Sequence, residues 1–280
     1  PDDSRIHAAF ATSEVRQWKI ESGEAIQTLV EPSPVHIQTM QFNPNGTEVA
    51  RCGAFNSVNW ISGSGNAASR TTYIGCWAMP AVTFDRRGNR FVVSGTDRRI
   101  RVIDPRKDEP VFTTDTMDAH AHCVAITPDG RRLLTIDELS NIHVWDTEKR
   151  QRIRTARWHF GAPLDLAVTT DGHRFAAGVN ELLVYNLTTL QPEFSVPLEH
   201  TRDLSMSPDG RLLAQSDSLG RVHIVDLASK GVLHEFQIGP HHGFINQVEF
   251  ASDSRHLFTA NGNGSIYILR LSAPEQPSLK

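Results

Sequence analysis

The chain has 280 residues, of which 39% are hydrophobic and 21% charged, and its net charge at neutral pH is −4. Such a composition builds a sizeable core without disulfide or metal staples, and it excludes low-complexity and collagen-like chains. The mild negative charge argues against a nucleic-acid binder held by bulk electrostatics, and no apolar run approaches the length of a membrane span.

In chain order the predicted elements are short strands between polar turns. Residues 1–30 give three, over Ile6–Phe10, Val15–Ile20 and Ala25–Val30. The next unit, 31–74, passes through Phe42 and an Asn-Gly turn to Trp60, then into the Gly- and Ser-rich loop SGSGNAAS. Residues 75–115 form an arginine-rich unit. The unit 116–157 holds the clearest pattern, VAITPDGRRLLTIDELSNIHVWD over 124–146. There a strand ends at Ile126, Pro128-Asp129-Gly130 makes a tight turn, and Arg132 to Ile136 forms an apolar strand. A polar turn, Asp137 to Asn141, leads to a third strand closed by Trp145-Asp146. Units follow over 158–197, 198–239 and 240–271, and 272–280 is a Pro-rich tail or linker.

The position of Ile126, before the turn, recurs at Phe42, Phe84, Val168, Met206 and Phe250, at offsets of about 38 to 44 residues. That period, with apolar strands around each turn and no helical periodicity, predicts an all-β chain. Its expected form is a seven-bladed β-propeller of four-stranded antiparallel blades, the first and last incomplete, in one domain over 1–271.

ITPDGRRLLTIDELSNIHVWD and MSPDGRLLAQSDSLGRVHIVD resemble the repeats of WD-repeat proteins in their degenerate, bacterial-type form. The resemblance covers residues 1 to about 271. It implies ring closure by an N-terminal segment, so the chain is expected to belong to a longer polypeptide with about two further strands upstream. It also implies a polar network in each blade: a His before the first strand, a Ser or Thr in the second, an Asp in the next turn and a Trp in the third. The matching residues are His159 and His241, Thr135 and Ser216, Asp97, Asp137 and Asp217, and Trp145, all read as structural. No unit holds all four. In this family the loops at the entry to the inner strands form the usual docking surface.

Seven of the 13 histidines lie in connections leading into first strands. His36, His120 and His200 share one register, at the mouth of the expected channel. His122, Gln38, Arg202 and Asn246 share another, two residues on. Trp77 and Trp158 fall in nearby loops. Three readings stand for this set: a solvated loop edge, a partner hot spot, or a metal or catalytic site. A second candidate is a rim of Arg86, Arg87, Arg106, Lys107, Arg131, Arg132, Lys149 and Arg150. Asp85, Asp104, Asp108, Glu109, Asp129, Asp146 and Glu148 occupy the same turns, so the rim reads as mixed charge rather than a nucleic-acid surface.

There is no HExxH, CxxC, nucleophile elbow or phosphate-binding Gly-Lys-Ser/Thr loop. No catalytic residue, metal ligand or cofactor is therefore expected. Three cysteines, Cys52, Cys76 and Cys123, suit reduced core thiols and a cytoplasmic location. The expected function is a non-catalytic, monomeric scaffold that binds a protein or peptide at the channel mouth, with no nucleic-acid or membrane partner. The alternatives are a C-terminal sensor or regulatory module of a larger bacterial multidomain protein, such as a Ser/Thr kinase, and a metal-dependent propeller hydrolase.

Overall fold

The computed structural model describes residues 5–9, 15–30, 37–53, 57–62, 70–75, 81–107, 110–158, 161, 163–238 and 244–271. Every regular element among them is a strand. The first three are β1 (Arg5–Ala9), β2 (Val15–Lys19) and β3 (Ala25–Val30). Next come β4 (Ile37–Phe42), β5 (Glu48–Gly53), β6 (Ser57–Ser62) and β7 (Arg70–Tyr73), then β8 (Val82–Phe84), β9 (Phe91–Ser94), β10 (Ile100–Ile103) and β11 (Pro110–Thr113). A third group of four is β12 (Ala121–Ile126), β13 (Arg132–Asp137), β14 (Asn141–Asp146) and β15 (Gln151–Arg157). It is followed by β16 (Leu166–Val168), β17 (Arg174–Gly178), β18 (Leu182–Asn186) and β19 (Pro192–Val196). The last two groups are β20 (Thr201–Met206), β21 (Leu212–Asp217), β22 (Arg221–Asp226) and β23 (Gly231–Gln237), then β24 (Ile245–Phe250), β25 (His256–Asn261) and β26 (Ile266–Arg270).

Among the described residues these strands make seven antiparallel sheets, each a simple meander, five of four strands and two of three. The sheets β4–β7 through β24–β26 pack in succession through their first strands, β4 on β8, β8 on β12, β12 on β16, β16 on β20 and β20 on β24. This is a β-propeller arrangement with first strands innermost. Six blades packed in succession therefore correct the expected seven. The sheet β1–β3 has three strands and adds no first strand to the stack, which is where neighbouring blades meet.

Burial follows from that packing. Strands β9, β10 and β21 are buried at every residue, because blades cover both of their faces. Their sequences (FVVS, IRVI, LLAQSD) accordingly lack a two-residue apolar alternation. The outer strand β15 is mostly exposed. Among the described residues the core divides into five apolar clusters, one in each gap between the six successive blades. In the gap between β12–β15 and β16–β19, for example, Leu134, Ile136 and Trp158 meet Phe175 and Tyr185.

The turns after the first strands interlock around the axis. In three of these turns a hydroxyl donates to an aspartate two residues on, as from Thr127 to Asp129 at 2.6 Å and from Ser207 to Asp209 at 2.6 Å. In four of these turns, at Gly88, Gly130, Gly172 and Gly210, the glycine has positive φ and sits against the preceding blade. A Cβ on Gly88 would lie 3.2 Å from Pro44 Cδ, and one on Gly130 3.2 Å from the Asp85 carboxylate. Arg86 donates to the Pro208 carbonyl at 3.2 Å, so turns three blades apart in the stack meet at this end of the channel.

The four-residue network expected in each blade is also corrected. His159 and His241 lie outside the described residues. Thr135 and Ser216 are fully buried, and neither hydroxyl has a hydrogen-bond partner. Trp145 is buried in the gap facing β8–β11. The network runs instead along one register of the third strand. His143, paired across the strands with Thr135 and Thr155, places Nε2 3.0 Å from Asp137 Oδ2 and Nδ1 3.1 Å from Thr155 Oγ1. His223, between Gln215 and Glu235, lies 2.7 Å from Gln215 Oε1. The turn aspartates keep their expected place. Asp97 accepts from Arg101 at 2.6 Å, Asp217 accepts from Arg221 at 2.6 Å, and Asp137 also caps the Asn141 N–H. Burial pushes the Asp137 carboxyl up, but the Asn141 N–H and His143 outweigh it and hold it below the usual carboxylate range.

Candidate functional site

The end of the channel opposite the interlocked turns is where each first strand begins. In three blades the residue entering that strand accepts, through its carbonyl, an N–H of the second-to-third-strand turn. The pairs are His120 with Glu138, His200 with Ser218 and Phe244 with Gly262. Two loops of every such blade are thereby fixed on one face. Three large apolar side chains stand exposed in these loops, Leu139 at 52%, Leu219 at 56% and Phe244 at 42%, and Leu164 at 54% stands in the connection leading into β16.

A β-bulge sits just inside the mouth of four blades. The pairing register shifts between Ile37 and Thr39, Ala121 and Cys123, Thr201 and Asp203, and Ile245 and Gln247. The extra residues are Gln38, His122, Arg202 and Asn246, the set that shares one register in the sequence. Such bulges re-aim side chains at strand ends. Asn246 is exposed and His122 partly so. Arg202 lays its guanidinium 4.7 Å from the Phe244 ring centroid. With Leu164, His200 and Ser218 it lines a cavity of about 190 Å3 between two blades. His200 is exposed, with Nε2 3.7 Å from Glu199 Oε2, whereas His120 is partly buried and its Nδ1 has no partner.

Below the mouth the first strands carry acids that sequence reasoning missed. Asp165 accepts the Leu204 N–H at 2.9 Å, and Asp203 accepts the Val248 N–H at 2.8 Å. Each carboxylate thus joins its blade to the next. Burial pushes the Asp165 carboxyl up to about 6. Burial and then the Asp165 charge raise Glu249 to about 7, and the same two causes raise Asp203 well above the usual range. Glu249 opens onto the lumen, while Asp165 and Asp203 are partly buried. A clue was present in the sequence, since Asp165 and Asp203 each stand three residues before Val168 and Met206.

Of the other predicted partner residues, His36 and Trp77 lie outside the described residues. Trp158 is corrected: it is 1% exposed and packs on Tyr185 with ring centroids 5.4 Å apart. Its loop runs directly into the gap between blades, and the large apolar ring fills it. Among the described residues no three His, Cys, Asp or Glu side chains gather in a way that could hold a metal ion.

Residues 232–269, which run from β23 to β26, match the family described as WD domain, G-beta repeat. Protein LST8 homolog of Drosophila melanogaster is 22% identical over 265 residues, 91% of this chain and 71% of that protein. Pre-mRNA-processing factor 17 of Homo sapiens is 22% identical over 214 residues, 70% of this chain and 36% of that one. Autophagy-related protein 18 of Meyerozyma guilliermondii is 29% identical over 100 residues, 35% and 18% of the two chains. The chain therefore spans only a minor part of the last two relatives. Strand topology, turn repeats and these matches together make it a WD-repeat β-propeller.

Proposed function

We propose that the chain is a non-catalytic scaffold that docks a protein or peptide segment at the channel mouth. The observation that carries this reading is the gathering of Leu139, Leu164, Leu219 and Phe244 on the face where bulges present His122, Arg202 and Asn246. Exposed apolar anchors beside an arginine and polar groups are what a binding hot spot requires. A relative of 25% identity over 71% of this chain, from Bos taurus, carries the name Target of rapamycin complex subunit LST8, and membership of a complex fits the same use. In this reading the propeller acts as a monomer.

The test compares proteins retained by the immobilised wild type with those retained by a His120→Ala, Arg202→Ala double variant. Retention should fall by roughly tenfold or more, as for loss of interface anchors, while the melting temperature stays nearly constant. Equal retention would refute the assignment.

A further inference from the structure

The opposite face holds a larger cavity, of about 450 Å3, between the blades β8–β11 and β12–β15. That size is within the range of small-ligand sites. Its apolar lining is Val102, Val111 and Phe112, and its guanidinium groups include those of Arg87, Arg90 and Arg150.

Among the described residues the carboxylates around it already have partners. Asp85 accepts the Arg90 backbone N–H at 2.9 Å. Asp129 accepts the Thr127 hydroxyl and the Arg131 N–H within its own turn. Glu148 pairs with Arg131 at 3.4 Å, and Asp104 with Arg106 at 3.0 Å. Among the described residues no carboxylate lies within ion-pair distance of Arg87, Arg90 or Arg150. The concavity thus gathers three guanidinium groups that have no carboxylate partner among the described residues, Arg90 donating to the Asn89 carbonyl at 3.1 Å. Three like charges around one concavity, none of them ion-paired among the described residues, favour a polyvalent anion, and the guanidinium fork matches phosphate oxygens.

We propose that this cavity binds a small organic phosphate with two or more phosphate charges, its apolar or ring portion lying on Val111 and Phe112. The site is separate from the channel mouth, and the proposal is independent of the docking role.

Titration calorimetry of the whole chain with adenosine diphosphate and with inorganic pyrophosphate tests it at physiological salt. Saturable 1:1 binding of the diphosphate is expected, with pyrophosphate weaker. Arg87→Ala and Arg150→Ala should each weaken binding by roughly tenfold, the loss of one charge-assisted contact. Arg255→Ala, an exposed arginine in a turn between first and second strands of another blade, should leave it unchanged. Both cavity arginines tested are exposed, so their variants should fold, and Arg150→Gln provides a second check if one does not. Pyrophosphate binding as tightly as the diphosphate would overturn the role given to Val111 and Phe112. No saturable binding of either probe, or equal loss in Arg255→Ala, would overturn the site.

Discussion

Replacing Asp165 by Asn keeps an acceptor for the Leu204 N–H and removes the charge. Because the folded carboxyl is raised from 3.8 to about 6, the folded state binds its proton more tightly than the unfolded chain does. The relative stability this confers is fully present below pH 3.8 and is lost as pH rises through about 6. Wild type at pH 8 therefore carries a penalty that Asp165→Asn escapes. A shift of about two units corresponds to roughly 3 kcal/mol as an upper bound. Asp165 is partly open to the lumen, so screening reduces this to about 1–2 kcal/mol, or a rise of roughly 3–6 °C in melting temperature. Thermal unfolding of both proteins at pH 8 and pH 4.5 reads the effect, which should fall to about a third at the lower pH. Asp165→Ala leaves the Leu204 N–H without its acceptor and should lose about 1–3 kcal/mol at both pH values. The reasoning fails if Asp165→Asn is no more stable than wild type at pH 8, or if its gain is the same at pH 4.5.

His143→Ala should cost about 2–4 kcal/mol, since it strips a partner from the fully buried Asp137; denaturant unfolding at pH 7 measures it. Gly210→Ala should destabilise more than Gly46→Ala. Both positions have positive φ, but a Cβ at 210 would run into the Thr170 side chain and one at 46 would meet nothing within 4 Å. Paired melting curves decide it, and equal losses would show that the interlocked turns have room to spare. Trp158→Ala should cost about 3–5 kcal/mol as a large core truncation, which a chemical melt would show as a lower midpoint.

The strands and turns were legible because each repeat carries the same local instructions. Pro128-Asp129-Gly130 and Pro208-Asp209-Gly210 fix a turn, and the apolar runs beside them fix strands buried on both faces. The shared register of Gln38, His122, Arg202 and Asn246 was also visible, although the bulge that presents it was not, since a bulge depends on pairing with the neighbouring strand. Trp158 was misread because a loop position gives no sign that the ring turns inward between blades. Asp165, Asp203 and Glu249 were missed for the converse reason. A single acid on a strand looks like a solvated residue until the blades bring three of them around one lumen. The polar network was displaced from Thr135 and Ser216 to His143 and His223, and cross-strand register alone reveals that shift. The count of blades was overstated because a repeat can be counted along the chain, whereas a blade is defined by packing against its neighbours.

Site-specific photo-crosslinking tests the central claim, docking at the mouth formed by the strand entries. A photoreactive phenylalanine analogue at Leu219 samples that mouth, and one at Arg255 samples the opposite face. The account predicts discrete protein adducts from position 219 that disappear when Leu164→Asp is added, and none of those adducts from position 255. The same adducts from both positions, or from 219 regardless of Leu164→Asp, would contradict it.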